Sequence, residues 1–180
     1  MSMMRFGLFF RELAIRETRC ITVTAPMREN GRLVLPADTY GLDEMYCVDP
    51  GCDCRRVMFN VLARYAQKHV ATINHGFEPP DDPSQPPEQT FLDPLNRQSQ
   101  WSAGLLDLVE NVVLTDEAYC QRLRRHYHLV KAAVNDPAHP CQELIRRSDQ
   151  NWDSTPSNAL PVMRRSPIPP PARRGKRKWR

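Results

Sequence analysis

The clearest alternation of side chains along the chain lies in residues 55–63, where Val57, Phe59 and Val61 fall on one face of an extended backbone. A period of two is typical of a β-strand, and the β-branched and aromatic residues favour the same structure. A helix over 55–68 is the alternative, because the basic residues near the ends of that segment would suit one. We favour the strand.

Four further segments have the composition of strands. Residues 42–48 precede the alternating segment, and residues 68–75 follow it after a turn. Three consecutive strands with short links predict an antiparallel meander. Two shorter segments, 19–24 and 32–35, are rich in β-forming residues and stop near prolines, so they complete the predicted sheet.

Residues 101–147 have helical periodicity instead. Apolar residues recur at intervals of three and four in 101–113 and again in 116–134. Thr115 is the predicted N-cap of the longer helix, whose first turn holds acids that the helix dipole favours. A third, shorter helix is predicted at 140–147.

These elements predict an α+β fold, in which two or three helices pack on a small antiparallel sheet. Residues 19–148 form the single predicted domain, and residues 1–18 are predicted to be an N-terminal arm or a short helix. The proline-rich residues 76–100 predict a long connection without regular structure. Residues 149–180, rich in Pro and Arg, predict a disordered basic tail.

The cysteine content and the N-terminus indicate a compartment. The first apolar run is cut at Arg11 and Glu12, which is too short for a secretory signal, and no stretch approaches the ~20 apolar residues of a membrane span. We therefore expect a cytoplasmic protein without membrane contact, whose thiols stay reduced. In that setting, six cysteines indicate metal binding or reactive thiols before disulfides.

The segment Cys47-Val-Asp-Pro-Gly-Cys-Asp-Cys54 places three thiols within eight residues. Its Asp-Pro-Gly sequence is turn chemistry, so the chain reverses between Cys47 and Cys52. Zinc prefers about four tetrahedral ligands, most often Cys sulfur and His nitrogen. The spacing predicts that Cys47, Cys52 and Cys54 bind one zinc ion, with iron as the alternative metal.

The fourth ligand follows from the predicted hairpin. If 55–63 pairs with 68–75 around a turn near 65–66, His75 lies opposite residue 56, at the sheet end that holds the cysteines. We therefore predict a Cys3His site completed by His75. Cys20 is the rival fourth ligand if its strand lies beside 42–48.

Other interpretations of the cysteine cluster stay open. Cysteines can pack in a turn as small hydrophobes, and clustered thiols can carry redox chemistry. With metal bound, four protein ligands would close the coordination sphere and make the site structural. Water in place of the histidine would instead allow hydrolysis, with a base among Asp43, Glu44, Asp49 and Asp53.

The C-terminal tail concentrates positive charge. Residues 164–180 hold eight of the 25 basic residues and no acid. Basic side chains bind phosphates through counterion release, and an indole can stack on an unpaired base. RNA or DNA is therefore the predicted partner, a solubilising extension being the alternative. The predicted contacts are Arg173, Arg174, Lys176, Arg177, Lys178, Trp179 and Arg180.

No glycine-rich phosphate loop, nucleophile elbow or HExxH motif occurs, which speaks against common NTPases, dehydrogenases and hydrolases. Helix 116–134 carries basic residues, including His126 and His128, in a pattern typical of a solvated face. The predicted function is a noncatalytic zinc-binding protein that is nucleic-acid-associated, or an adaptor, through its tail. A metal-dependent enzyme with an open zinc position, and a module whose protein partner docks on 76–100, are the alternatives.

Overall fold

The computed structural model describes residues 2–78 and 89–151, with side chains described as far as residue 147. The strands of this part of the chain are β1 (Met3–Arg5), β2 (Cys20–Val23), β3 (Met27–Glu29), β4 (Arg32–Leu35), β5 (Asp38–Cys47), β6 (Arg56–Ala63), β7 (Lys68–Gly76) and β8 (Thr90–Leu92). Its helices are α1 (Phe6–Phe9), α2 (Arg11–Glu17), α3 (Ser102–Leu108), α4 (Glu117–Asn135) and α5 (Cys141–Asn151). A π-helical turn, Val109–Val113, continues α3.

Strand β5 organises the main sheet, whose order is β1-β5-β6-β7-β8 with every pairing antiparallel. β2 also pairs with β5, so β1 and β2 share one edge of that strand: β1 lies opposite 45–47 and β2 opposite 38–41. β3 and β4 form a separate hairpin. The α+β fold predicted from the sequence is confirmed, including the antiparallel meander.

One face of the sheet is buried beneath α4. The even-numbered residues of β5 are buried, and Tyr40, Leu42 and Tyr46 are fully covered. Phe59 of β6 continues this face and stacks on Tyr119 of α4, with ring centroids 6.5 Å apart. Burial of a large apolar side chain contributes about 1.5–3 kcal/mol. Packing under α4 therefore holds the helix on the sheet.

Helix α4 is capped by Asp116, whose side chain accepts a hydrogen bond from the Tyr119 amide at 3.2 Å. Thr115, the cap predicted from the sequence, instead donates its hydroxyl to the Val112 carbonyl at 2.9 Å. Both residue types cap helices well, so the sequence alone could not separate the two neighbours. An Asp-Pro sequence follows Asn135 and ends the helix.

The N-terminal residues are integrated into the fold. Of the two alternatives for 1–18, the structure shows helix, in α1 and α2, preceded by a strand that the sequence did not indicate. Phe6 of α1 is 2% exposed and stacks on His126 of α4, with ring centroids 4.0 Å apart. This contact ties the N-terminal segment to the core.

The connection between β7 and α3 contains one regular element. Residues 90–92 form β8 and pair with 73–75 of β7. The prediction that 76–100 lacks regular structure was therefore wrong for these residues, because an open strand edge satisfies the backbone groups of even a three-residue segment. Residues 79–88 lie outside the described part of the chain.

Helix α5, the last described element, runs to Asn151 and so includes the first three residues of the predicted tail, 149–180. Residues 152–180 lie outside the described residues, and the predicted disorder of that tail stays a prediction.

The β6–β7 hairpin contains an irregularity that sets the position of His75. Near the turn, Ala63 lies opposite Lys68, as in the predicted register. The register then shifts by one residue, and Val57 lies opposite His75. A β-bulge of this kind places an extra residue in one strand, so His75 lies one position away from its predicted partner, residue 56.

Candidate metal centre

Three sulfur atoms converge where β5 ends and β6 begins. Cys47 is the last residue of β5, and Cys52 and Cys54 follow in the loop that leads to β6. Their Sγ atoms all lie within 4.8 Å of one another. Sulfur ligands about 2.3 Å from a tetrahedral ion would lie about 3.8 Å apart. The cluster therefore fits one metal ion, and zinc, iron and copper(I) all suit thiolate ligands.

The loop takes its shape from a turn and an unusual backbone conformation. The Cys52 amide donates to the Asp49 carbonyl at 3.2 Å, which closes the turn that the Asp-Pro-Gly sequence predicts. Arg55 has a φ of 46°, in the left-handed region that non-glycine residues adopt uncommonly. The chain therefore bends sharply between Cys54 and the start of β6.

The N-terminal strand supports the first cysteine. Met3 pairs with Cys47, and the Val48 amide donates to the Ser2 carbonyl at 2.9 Å. The Ser2 amide in turn donates to Asp49 Oδ2 at 3.2 Å. Cys47 is fully buried as a result.

Helix α4 holds the loop from the other side. The Tyr127 hydroxyl donates to Asp53 Oδ1 at 2.8 Å, and Lys131 Nζ donates to the Asp49 carbonyl at 3.1 Å. Tyr127 is 4% exposed, whereas Asp53 is exposed, so this hydrogen bond joins the buried face of α4 to the surface of the loop. The two contacts flank Cys52 in the sequence, and the loop geometry is therefore coupled to the position of α4.

Burial opposes charge on the thiols. It is the main reason that the pKa of Cys47 is raised to about 12. Burial, followed by the charge of Cys52, raises the pKa of Cys54. The ammonium group of Lys131 acts in the opposite direction on the pKa of both thiols, but burial has the larger effect. A bound divalent cation would supply the remaining positive charge, since cysteine ligands bind as thiolates.

The two arginines that follow the cluster have other partners. Arg55 forms ion pairs with Asp53 at 3.0 Å and Glu78 at 2.6 Å. Arg56 donates to Asn74 Oδ1 at 2.8 Å. Arg55 therefore stabilises the loop, and Arg56 links the adjacent ends of β6 and β7.

His75 lies outside the group of atoms within 4.8 Å of one another. It is 8% exposed on β7, with Nδ1 2.9 Å from Thr90 Oγ1. Burial, followed by the charges of Arg56 and Arg124, lowers the pKa of His75 to about 4. The ring is therefore neutral near pH 7, which is the form that binds metals.

The structure separates Cys20 from the cluster. Cys20 lies opposite Gly41, six residues before Cys47 on β5. At about 3.3 Å per residue, this separation is about 20 Å, so one ion cannot bind both thiols. The rival assignment of Cys20 as fourth ligand was wrong because β2 pairs with the far end of β5.

The predicted nucleic-acid contacts at 173–180 lie outside the described residues. The basic residues of α4 are described, and several are paired. Arg125 forms an ion pair with Glu17, and Arg124 lies 3.5 Å from Glu117. Acids therefore offset the basic pattern of this helix.

A buried network of acid and imidazole groups lies under α4, and the sequence analysis missed it. His126 is 1% exposed, and its ring nitrogens lie 2.7 Å from Glu44 Oε2 and 2.9 Å from Glu17 Oε2. The Tyr46 hydroxyl donates to the same Glu44 oxygen at 2.8 Å. The sequence did indicate that Glu44 is buried, because it occupies an even-numbered position of β5, like the buried residues of that strand.

His126 is the centre of this buried network. Each His126 nitrogen lies within hydrogen-bond distance of a carboxyl oxygen, so the ring links Glu44 of β5 to Glu17 of α2. Burial acts to raise the pKa of Glu17, but hydrogen bonds from His126 and Arg125, with their charges, lower it overall. The second oxygen of Glu44 is buried with no hydrogen-bond partner in the described structure.

No protein-family model, curated protein or solved structure shows significant similarity to this chain. Within the described residues, no helix combines the length and the apolar character needed to cross a membrane.

Proposed function

We propose that Cys47, Cys52 and Cys54 bind one zinc ion and that this ion is structural. The observation that supports the proposal is the approach of the three sulfur atoms to within 4.8 Å of one another on a loop held from two sides. Structural zinc contributes directly to the free energy of folding. Here it would fix the β5–β6 loop, which is rich in small and polar residues.

Zinc is the metal we favour among those that thiolates bind. It takes tetrahedral sulfur and nitrogen ligands and undergoes no redox change. The proposal places the protein in a reducing compartment, the cytoplasm, where its thiols stay available for the metal.

The fourth ligand predicted from the sequence is His75, and that assignment stays a prediction. Nδ1 of His75 is engaged by Thr90 at 2.9 Å, so Nε2 would be its donor atom. The ring would also have to move toward the thiols, because it lies outside the 4.8 Å group.

We infer that the protein binds rather than catalyses. A zinc ion with four protein ligands has no position for a substrate or a reactive water. The positive charge of residues 164–180 supports a role in which the domain carries a tail that contacts the phosphates of RNA or DNA.

Elemental analysis of freshly reduced protein tests the metal site. We expect one zinc per chain in the wild type and almost none in the double variant Cys52→Ser, Cys54→Ser. Cys20→Ser and Cys120→Ser are matched controls, because both thiols lie outside the cluster, and they should retain the metal. Metal-free wild-type protein, or zinc retained by the double variant, would overturn the proposal.

Binding to a fluorescent single-stranded RNA tests the tail. We expect the affinity to fall steeply with salt concentration and to be lost on deletion of 164–180. A full-length variant with every basic residue of 164–180 replaced by Gln separates charge from length and should also lose binding. Binding that survives both changes would contradict the role of the tail and leave the zinc site untouched.

A further inference from the structure

Besides His75, the histidine His128 of helix α4 lies beside the cysteine loop. Residues three and four apart share a helix face, and His128 precedes Lys131 by three positions. Lys131 contacts Asp49, and Tyr127, the neighbour of His128, contacts Asp53. His128 therefore lies on the side of the helix that faces the loop between these two aspartates.

A cavity of about 280 Å³ lies between the helix and the loop. Cys52 lines it from the loop, and His128 lines it from α4. Its volume is several times the ~30 Å³ that a water molecule occupies in the liquid. An imidazole ring can therefore turn into this space without displacing the core.

We propose that His128 supplies the fourth ligand of the metal centre through a ring nitrogen that enters this cavity. The inference depends on the proposed zinc site and deepens it, because it names the residue that joins α4 to the β5–β6 loop.

The charge around the site favours an imidazole. A divalent ion with three thiolates carries one negative charge, and a neutral imidazole adds none, whereas a carboxylate or a fourth thiolate would double it. Lys131, whose ammonium acts on Cys47 and Cys54, offsets the charge that remains. With His128 as the fourth ligand, the site and Lys131 together are neutral.

His128 can reach the metal at lower cost than His75. The side chain of His75 is buried, and its Nδ1 is held by Thr90. His128 is exposed, so turning its ring disturbs no core packing. We therefore expect its replacement to change metal affinity while the fold stays intact.

Zinc affinity, measured by competition with a chromophoric chelator, tests the assignment. We expect His128→Ala to bind zinc at least about tenfold more weakly than the wild type, since changes of that size follow even from loss of a ligand's supporting contacts. His139→Ala is the matched control, because His139 lies beyond the C-terminal end of α4. The zinc affinity of His139→Ala should equal that of the wild type, and so should the far-UV circular dichroism of His128→Ala.

The outcomes separate the two proposals. Wild-type protein that binds no zinc would overturn both the zinc site and the assignment of His128. Tight binding in the wild type with equal affinity in His128→Ala would leave the zinc site standing and overturn the ligand assignment. Loss of affinity in His75→Ala, with none in His128→Ala, would also overturn it and assign His75.

Nitrogen NMR of the histidine rings gives a second readout that a merely structural role would not produce. On addition of one equivalent of zinc to ¹⁵N-labelled protein, we expect one ring nitrogen of His128 to shift to the metal-bound range, with the other nitrogen protonated. A spectrum in which no histidine ring changes would exclude a histidine ligand and overturn the assignment.

Discussion

His126 Nδ1 lies 2.7 Å from Glu44 Oε2, and this contact joins residues 82 positions apart in the sequence. The two side chains are 1% and 4% exposed, so helix α4 is joined to the middle of β5 by a polar contact inside the core. Phe6 stacks on the same imidazole at 4.0 Å. The N-terminal segment, the central strand and the longest helix thus meet at one ring.

Replacing one member of this pair should destabilise the protein strongly. We expect His126→Ala to lower the free energy of unfolding by about 3–5 kcal/mol, because it leaves the buried Glu44 carboxyl without its imidazole partner and removes the ring packed on Phe6. Urea denaturation measures the effect. The matched control is Glu143→Ala, whose exposed ion pairs with Arg146 and Arg147 should contribute less than about 1 kcal/mol.

A double variant identifies the cause. Glu44→Leu combined with His126→Leu should be more stable than His126→Ala, because apolar groups of similar volume can replace a buried polar pair at little cost. Equal destabilisation in both proteins would indicate that lost packing, rather than an unpaired buried carboxyl, dominates.

The buried ring of His75 should make stability depend on pH. Its folded pKa is lowered from 6.5 to about 4, so between these values the unfolded chain binds more protons than the native one. Stability therefore rises with pH across this window; the contribution is complete above 6.5 and is lost as the pH falls toward 4. The shift corresponds to roughly 3 kcal/mol.

Urea denaturation of wild type and His75→Gln at several pH values between about 4 and 7 measures this contribution. We expect a shallower dependence in the variant, which has no imidazole to protonate. Parallel curves for the two proteins would show that the dependence comes from other groups.

Gly104 allows α3 to approach β4 closely. A Cβ at this position would lie 2.7 Å from Val34 Cγ1 and 3.1 Å from the Val34 carbonyl oxygen. We expect Gly104→Ala to lower the free energy of unfolding by about 1–3 kcal/mol, since overpacking exceeds the small gain in helix propensity. Adding Val34→Ala should restore part of the loss by removing the closest atom. No recovery in the double variant would assign the clash to the backbone carbonyl.

Zinc affinity should also depend on the tyrosine that anchors the loop. Tyr127→Phe removes only the hydroxyl that donates to Asp53 at 2.8 Å. We expect affinity to fall about tenfold, because groups that position metal ligands typically contribute tenfold to a hundredfold. Tyr65→Phe, at a side chain 70% exposed, is the control and should bind zinc as the wild type does. Unchanged affinity in Tyr127→Phe would mean that the loop is rigid without this anchor.

Much of the fold could be predicted because its strands and helices have strong local patterns. The alternation through Val57, Phe59 and Val61 and the periodicity of α4 both correspond to observed elements. The short strands β1 and β8 could not be predicted, since three residues carry no period and their pairing is decided by the open edges of β5 and β7.

The cross-strand partner of His75 could not be predicted from the local sequence pattern. The predicted register holds beside the turn but not at the cysteine end, because a bulge intervenes in the hairpin. A shift of one residue changes which cross-strand partner and face a side chain shares. Nothing in the sequence of β6 or β7 marks that bulge. The three cysteines were predictable because a single turn brings them together.

Glu44 and His126 were missed for a different reason. Charged and polar residues are usually exposed, so a pattern of burial is normally drawn through apolar positions alone. Here the two residues contact each other inside the core, and each falls in phase with buried neighbours of its own element. Each element alone shows one polar residue among its buried apolar residues. The pairing can be inferred only when the buried faces of the strand and the helix are compared.

The cysteine loop has a consequence for the order of folding events. Its three sulfurs come from eight consecutive residues, 47–54, where β5 ends and the link to β6 begins, so they converge by closing a short local segment of chain. The Glu44–His126 contact instead closes 82 residues of chain. We expect the β5–β6 hairpin to capture zinc early in refolding, with docking of α4 as the later and slower event. Stopped-flow refolding should then show an early phase that zinc accelerates, followed by a slower phase in which α4 docks and His128 reaches the metal. The metal would serve first as a folding nucleus, and only afterwards as a clamp on the finished structure.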